Sequence, residues 1–157
     1  MLIRAYHPND WPRLCEIHDL ARLDELRRSI GEAAFIPLEK AAETEGLFDL
    51  RVDVAEINHR VEGFVAFSPD ELAWLYVAPD AYRRGIGRAL VRHAIAHADP
   101  TLTVEVLEGN DPALQLYLSE GFRVLEYRRG QLTGNESFAA AGYALERTHT
   151  PHNVSGQ

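Results

Sequence analysis

Arg83, Arg84, Gly85, Gly87 and Arg88 crowd one short stretch, LAWLYVAPDAYRRGIGRA, from Leu72 to Ala89. The stretch reads as an apolar strand, a turn, and two glycines opening a helix. Together these residue types make an anion site. A helix start offers unpaired backbone N–H groups and the positive end of a dipole, and glycine has no Cβ to hold a phosphate away. The expected occupant is a phosphorylated cofactor. Two phosphate loops are excluded. No Gly-x-x-x-x-Gly-Lys run followed by Ser or Thr occurs, and Gly85-Ile86-Gly87 is followed by Arg88, Ala89 and Leu90 where a dinucleotide fingerprint needs a third glycine. An arginine run is also what a solvated helix face carries. The glycine pair beneath it favours binding.

A second stretch lies about 25 residues on, the distance a helix plus a strand requires. It runs Asn110-Asp111-Pro112-Ala113-Leu114-Gln115-Leu116-Tyr117 and closes on Gly121-Phe122. Asp111 suits an N-cap, Pro112 the first helical position, and Gly121 the left-handed residue after a helix. Taken alone, Tyr117 would be a core aromatic whose hydroxyl reaches a surface partner.

The two stretches together resemble the GNAT superfamily of N-acetyltransferases. Its Gln/Arg-x-x-Gly-x-Gly/Ala signature, after a strand ending Val-x-Pro, is met by Val77, Pro79, Gly85 and Gly87; Tyr82 replaces Gln/Arg. Its Asn-x-x-Ala-x-x-x-Tyr…Gly-Phe pattern is met by Asn110, Ala113, Tyr117, Gly121 and Phe122. The resemblance covers roughly residues 47 to 146, and the N-terminal third matches only in outline. It implies acetyl-CoA as cosubstrate, held by Tyr82, Arg83, Arg84, Gly85, Ile86, Gly87, Arg88 and Ala89. It also implies that Leu75, Tyr76 and Val77 lie beside the pantetheine arm, with a backbone N–H there as oxyanion donor. Asn110 and Ala113 would touch the cofactor, and Tyr117 would face its sulfur as catalytic acid. Glu71 resembles the strand carboxylate that histone-type members use as base. It also follows Pro69-Asp70 as a solvated turn residue would, and ordered water is the alternative base.

The elements that must position these residues follow from pattern. The chain has 157 residues, enough for one domain with a sizeable core. The expected domain is residues 1–147, with a flexible tail over 148–157. Leu2 to Ala5 reads as a strand, followed by helices from Asp10, near Asp24 to Ile30, and from after Pro37 to Gly46. Arg51–Asn58, Val61–Phe67, Glu71–Val77 and Leu102–Leu107 read as strands, with a tight turn at His59-Arg60. Helices are expected over Gly85–Ala98 and Asp111–Glu120. A last antiparallel pair, Phe122–Arg128 and Ala140–Arg147, surrounds Gly130 to Asn135. The order is βααβββαβαββ: an α/β (α+β mixed) fold with a central mixed sheet of about seven strands and helices on both faces. The resemblance adds that the parallel strands, Glu71–Val77 and Leu102–Leu107, splay apart around the pantetheine.

The net charge of −8 is the wrong sign for a general nucleic-acid binder, whose affinity comes largely from phosphate contacts. No apolar run approaches the ~20 residues of a membrane span, and the N-terminus lacks a signal-peptide core, so cytoplasm is the default. The single cysteine, Cys15, fits that compartment and reads as a small buried hydrophobe. His93 and His97 stand four apart on a helix without a third ligand, so no metal is expected. The leading function is acetyl-CoA-dependent transfer to a primary amine of a small molecule or protein. A non-catalytic acetyl-CoA sensor and an acyltransferase using another acyl-CoA are the alternatives. Partners are acetyl-CoA and an amine acceptor, and a homodimer is left open. The acceptor is expected against roughly residues 18 to 50, which offer Asp19, Asp24, Glu25, Glu32, Phe35 and Phe48.

Overall fold

The computed structural model describes residues 1–149. Seven strands form one sheet: β1 (Leu2–Ala5), β2 (Arg51–Ile57), β3 (Arg60–Phe67), β4 (Glu71–Val77), β5 (Thr101–Leu107), β6 (Arg123–Leu132) and β7 (Asn135–Thr148). Their order in space is β1-β2-β3-β4-β5-β7-β6. Four α-helices complete the fold: α1 (Trp11–Arg27), α2 (Leu38–Thr44), α3 (Ile86–His97) and α4 (Asp111–Ser119). The element order βααβββαβαββ is the one expected. Among the described residues no helix is long and apolar enough to cross a membrane.

The central strand β3 is buried along nearly its whole length, as its apolar run requires. Phe64 and Val65 are fully buried, and Leu14, Ile17, Ile86 and Leu90 bring α1 and α3 into the same core. His18 of α1 packs on Trp74 and Tyr76 of β4. On the opposite face, Gly63 lies under Ile86 and Leu90 of α3.

Several local expectations are corrected. Two helices between Asp10 and Ile30 are one. No breaker intervenes before Gly31, and the spaced pairs Arg22–Glu25 and Asp24–Arg27 carry the helix through its polar second half. The β2–β3 turn is Asn58-His59, not His59-Arg60. Both residues have positive φ, 50° and 64°, as a two-residue hairpin twisted with its strands demands. Asp111 is the first residue of α4 rather than its cap; Asn110 holds the cap position. The last hairpin is longer than expected and turns at Thr133-Gly134, because its outer half is solvated and carries no hydrophobic alternation. Thr148, expected in the tail, pairs with Thr101 at the end of β7. Residues 150–157 of that tail lie outside the described residues.

One joint matters most for the site. β4 and β5 are parallel, but they pair only at Glu71–Thr103 and Leu72–Val104. The next residue, Ala73, is an extra residue in β4, since Ala66 faces Trp74 while Phe67 faces Leu72. A bulge bends and twists its strand. Here it turns β4 away from β5 where their pairing stops.

The loop after β5 is pinned by close backbone contact. Gly109 has φ +99°, and a Cβ there would stand 2.0 Å from the Arg28 carbonyl oxygen beyond α1. Gly109→Ala should therefore lower stability by about 2–4 kcal/mol, from left-handed strain plus overpacking. Urea denaturation at neutral pH measures the loss.

Candidate active site

The divergence of β4 and β5 leaves backbone groups exposed along one edge of β4. The Ala78 N–H donates to the Glu62 carbonyl at 2.8 Å, which fixes the alternation of the β3–β4 ladder. Residues 74, 76 and 78 then turn their N–H groups toward β3, and Leu75 and Val77 turn theirs toward the gap. The gap opens into a cavity of about 880 Å³ lined by β4, β5, α1, α4 and the β6–β7 hairpin.

The anion loop stands at the C-terminal end of β4. Arg83 and Gly85 both have positive φ, 63° and 80°. An arginine in that conformation carries strain of about 1–2 kcal/mol, the kind of cost found at functional loops. Gly85 is the N-cap of α3 and offers no side chain to the first turn, which contains no acidic residue. The Ala89 N–H closes the first helical bond on Gly85, leaving the N–H groups of Ile86, Gly87 and Arg88 without intrahelical partners. A Cβ at Gly87 would make only ordinary contacts, 3.5 Å to Leu116 and 3.8 Å to Val77. Packing alone does not call for glycine there.

The arginines divide. Arg88 donates to Ser119 Oγ at 3.0 Å and pairs with Glu120, which also pairs with Arg92 at 3.0 Å. Arg92, seconded by Arg88, holds the Glu120 carboxyl below its ordinary range against the opposing effect of burial. These two arginines bind α3 to the end of α4. Arg83 and Arg84 are exposed and have no ion pair among the described residues. Arg83 and Arg84 thus stand without ion pairs among the described residues, while Arg88 and Arg92 share the single charge of Glu120. Tyr82 donates its hydroxyl to Asp24 at 3.2 Å, and burial with Asp24 beside it pushes its pKa up to about 12.

Tyr117 is only 4% exposed, its ring edge-on to Phe122. Tyr117 lines the cavity, and its hydroxyl makes no hydrogen bond among the described residues and is open to solvent there. Burial, then the charge of Glu25, raises its pKa, so it is a firm proton donor at neutral pH. Ala113, one turn earlier, lines the same cavity. Glu71 lies at the closed end of the gap, beside the last paired residues. Burial, then Glu105 and Asp70, raises its pKa.

Asn110 lines the cavity, and its amide is engaged within the protein. Its Nδ2 donates to Glu25 Oε2 at 2.9 Å. Glu25 also accepts from Arg22 and, at 3.4 Å, from the Tyr76 hydroxyl. One carboxylate on α1 thus joins β4 to the start of α4. The sequence places Glu25 only among several carboxylates near the acceptor, and it gives no sign of Arg22 or Glu45 at the cavity. The Arg22–Glu25 pair has the spacing of any solvated helix, and its partner Asn110 is 85 residues away.

Residues 48–124 match the family model described as an acetyltransferase (GNAT) domain. Those residues carry a GNAT acetyltransferase domain. The matched span contains β4, the anion loop, α3, β5 and α4. Over 74 residues the chain is 38% identical to the peptidyl-lysine N-acetyltransferase YiaC of Escherichia coli, covering 46% of this chain and 50% of that one. It thus spans about half the length of that curated relative. A GCN5-related N-acetyltransferase from Rhodopseudomonas palustris superposes with a TM-score of 0.75 at 21% identity over 94% of each chain. YncA of Salmonella typhimurium, solved with acetyl-CoA, superposes with a TM-score of 0.71 at 21% identity, covering 97% of this chain and 95% of that one. At such identities the likeness is one of fold.

Glu25→Ala leaves the Asn110 amide and Arg22 without their partner. It should cost about 1–3 kcal/mol of stability, whereas Tyr76→Phe, losing one long hydrogen bond, should cost under about 1 kcal/mol. Chemical denaturation of both variants beside the parent checks the ordering.

Proposed function

We propose that this protein transfers an acetyl group from acetyl-CoA to a primary amine. One observation carries the reading: the Leu75 and Val77 N–H groups face an open gap between an uncapped helix start and the cavity-lining Tyr117. The residues fit the cosubstrate. The free N–H groups of Ile86, Gly87 and Arg88, with Arg83 and Arg84, suit a pyrophosphate. The unpaired edge of β4 suits the amides of a pantetheine arm, added as a strand would be. When bound, acetyl-CoA supplies the activated acyl group.

The chain's own groups then divide the work. A backbone N–H of Leu75 or Val77 donates to the thioester carbonyl oxygen as negative charge grows there. Tyr117 donates a hydrogen bond to the departing sulfur. With an ordinary tyrosine, full proton transfer to a thiolate is uphill by about 2 kcal/mol, and the raised pKa of Tyr117 increases that cost. A hydrogen bond strengthening as the C–S bond breaks avoids much of it. The amine must be neutral to attack, and near pKa 10.4 only about 0.1% is neutral at pH 7, a deficit of roughly 4–5 kcal/mol. Glu71, its pKa raised by burial and by Glu105 and Asp70, is the base. The acceptor class extends from small amines to lysine side chains, on which the relative YiaC is named as acting. The single cysteine, half-buried on α1, fits a reducing, cytoplasmic setting.

The experiment is a turnover assay that follows free CoA over a panel of amines. Release that depends on the amine supports transfer; binding without release would mean a sensing module. Tyr117→Phe should lower kcat about 10- to 1000-fold with the acetyl-CoA KM nearly unchanged, because the lost contact forms in the transition state. Steady-state kinetics and a melting curve on one preparation separate this from a packing loss. The acid limb of kcat/KM should lie above the ordinary glutamate range. Activity falls as Glu71 is protonated, and burial raises the pH at which that happens. Glu71→Gln should remove that limb.

A further inference from the structure

His18 stands in the middle of α1, on the buried stripe of Leu14, Ile17 and Ala21, and only 2% of it is exposed. A polar ring in that place costs desolvation unless both nitrogens find partners. One nitrogen does. His18 Nδ1 lies 2.9 Å from Asp19 Oδ1, and the same oxygen accepts the Leu38 N–H at the start of α2, also at 2.9 Å. Asp19 is thereby fixed between two helices, and a carboxylate beside Nδ1 keeps the proton of a neutral ring there. Nε2 is left with the lone pair. It has no hydrogen-bond partner among the described residues, and none of their partnerless side-chain nitrogens or oxygens is sealed from solvent. The small part of His18 that stays exposed thus includes Nε2, and the space it meets is the cavity that His18 lines.

Its neighbours set where the ring lies along β4. His18 packs edge-on against Tyr76, with centroids 4.8 Å apart, and tilted against Trp74 at 5.9 Å. Those two residues flank Leu75, whose N–H faces the gap. The imidazole is therefore level with Leu75, on the α1 side of the sheet. The charged groups around it are Asp19, Arg22 and Glu25 of α1, and β4 adds the Tyr76 hydroxyl. Burial, opposed by Asp19, lowers the His18 pKa, so the ring is neutral at pH 7.

We infer that His18 is a second proton acceptor for the attacking amine: its Nε2 takes the proton that nitrogen sheds once bonded to the acetyl carbon. This rests on the acetyltransferase reading. An ammonium has three N–H bonds and the amide product has one, so two protons must leave nitrogen. Glu71 takes the first, which frees the lone pair. That pair forms the C–N bond, the carbonyl π pair moves onto oxygen, and nitrogen becomes cationic. His18 Nε2 takes the second proton. The oxygen pair then returns, and the C–S bond breaks with its electrons on sulfur, beside the Tyr117 hydroxyl. Glu71 and His18 each end with one proton and lose it to solvent through the open cavity. The second step suits an imidazole. Nitrogen bonded to the tetrahedral carbon is a stronger acid than a free ammonium, so a ring that is neutral at pH 7 can take its proton. Asp19 stabilises the imidazolium that results.

The experiment measures CoA release with the fastest amine of the panel for the wild type, His18→Phe and His18→Ala. Phe keeps a ring against Trp74 and Tyr76 but has no lone pair. It should lower kcat at least about 10-fold, with the acetyl-CoA KM nearly unchanged and the melting temperature within a few degrees of the wild type. His18→Ala should fall as far, and added imidazole should recover part of the loss in proportion to its neutral fraction, a response that a packing residue lacks. Long-range nitrogen–proton NMR of the wild type should find His18 neutral at pH 7 with its proton on Nδ1. A folded His18→Phe that loses less than 10-fold overturns the proposal. So does an alanine variant indifferent to imidazole, or a wild-type His18 that is charged or protonated on Nε2. If the Phe variant does not fold, the imidazole and NMR results decide. A wild type that releases no CoA with any amine overturns the acetyltransferase reading, and this role with it.

Discussion

The architecture turns on two residue pairs. Glu71–Thr103 and Leu72–Val104 are the whole of the β4–β5 ladder, and beyond them the sheet is two halves leaning apart. A sheet split this way forfeits ladder hydrogen bonds and exposes an edge in its middle. The bulge at Ala73 stands where the split begins, and a bulge bends its strand. The remaining contacts between the halves must then do what the missing ladder would have done.

They do so at the rim rather than across the gap. Glu25 ties the end of α1 and Tyr76 to Asn110 at the start of α4. Glu120 receives Arg88 and Arg92 from α3, while its carbonyl accepts from Arg147 of β7 at 2.9 Å. Asn135 ties the long hairpin to the chain before α2. Each bridge crosses between halves and leaves the Leu75–Val77 edge open. Asn110 and Arg88, expected at the cofactor, also take part in the frame around the gap. Arg83, Arg84 and the Tyr117 hydroxyl form no ion pair or side-chain hydrogen bond among the described residues, and the first-turn N–H groups of α3 have no intrahelical partners.

Much of this was legible in sequence because it is local. Gly85 at a left-handed N-cap, the apolar run of β3, and the helix opening at Asp111-Pro112 are short-range requirements, readable from residue type and spacing. The element order followed from them. What could not be read was long-range or cancelled by a neighbour. A polar helix face gives no hint that Glu25 will meet Asn110, nor a surface-like Glu120 that it will pair with both Arg88 and Arg92. The Ala73 bulge was invisible because one extra residue in a strand changes no composition. Glu45 passed unseen because a glutamate after a short helix reads as solvated. Only the hairpin folded over it, from the far end of the chain, encloses it.

The central claim is that the β4 edge at Leu75 and Val77 receives the acyl carrier. Backbone amide NMR during titration with desulfo-CoA tests it residue by residue. The amides of Leu75 and Val77 should shift together with those of Ile86 and Gly87, while those of Trp74 and Tyr76, bonded toward β3, move far less. Equal shifts along all of β4, or shifts at the α3 start with none at Leu75 and Val77, would contradict it.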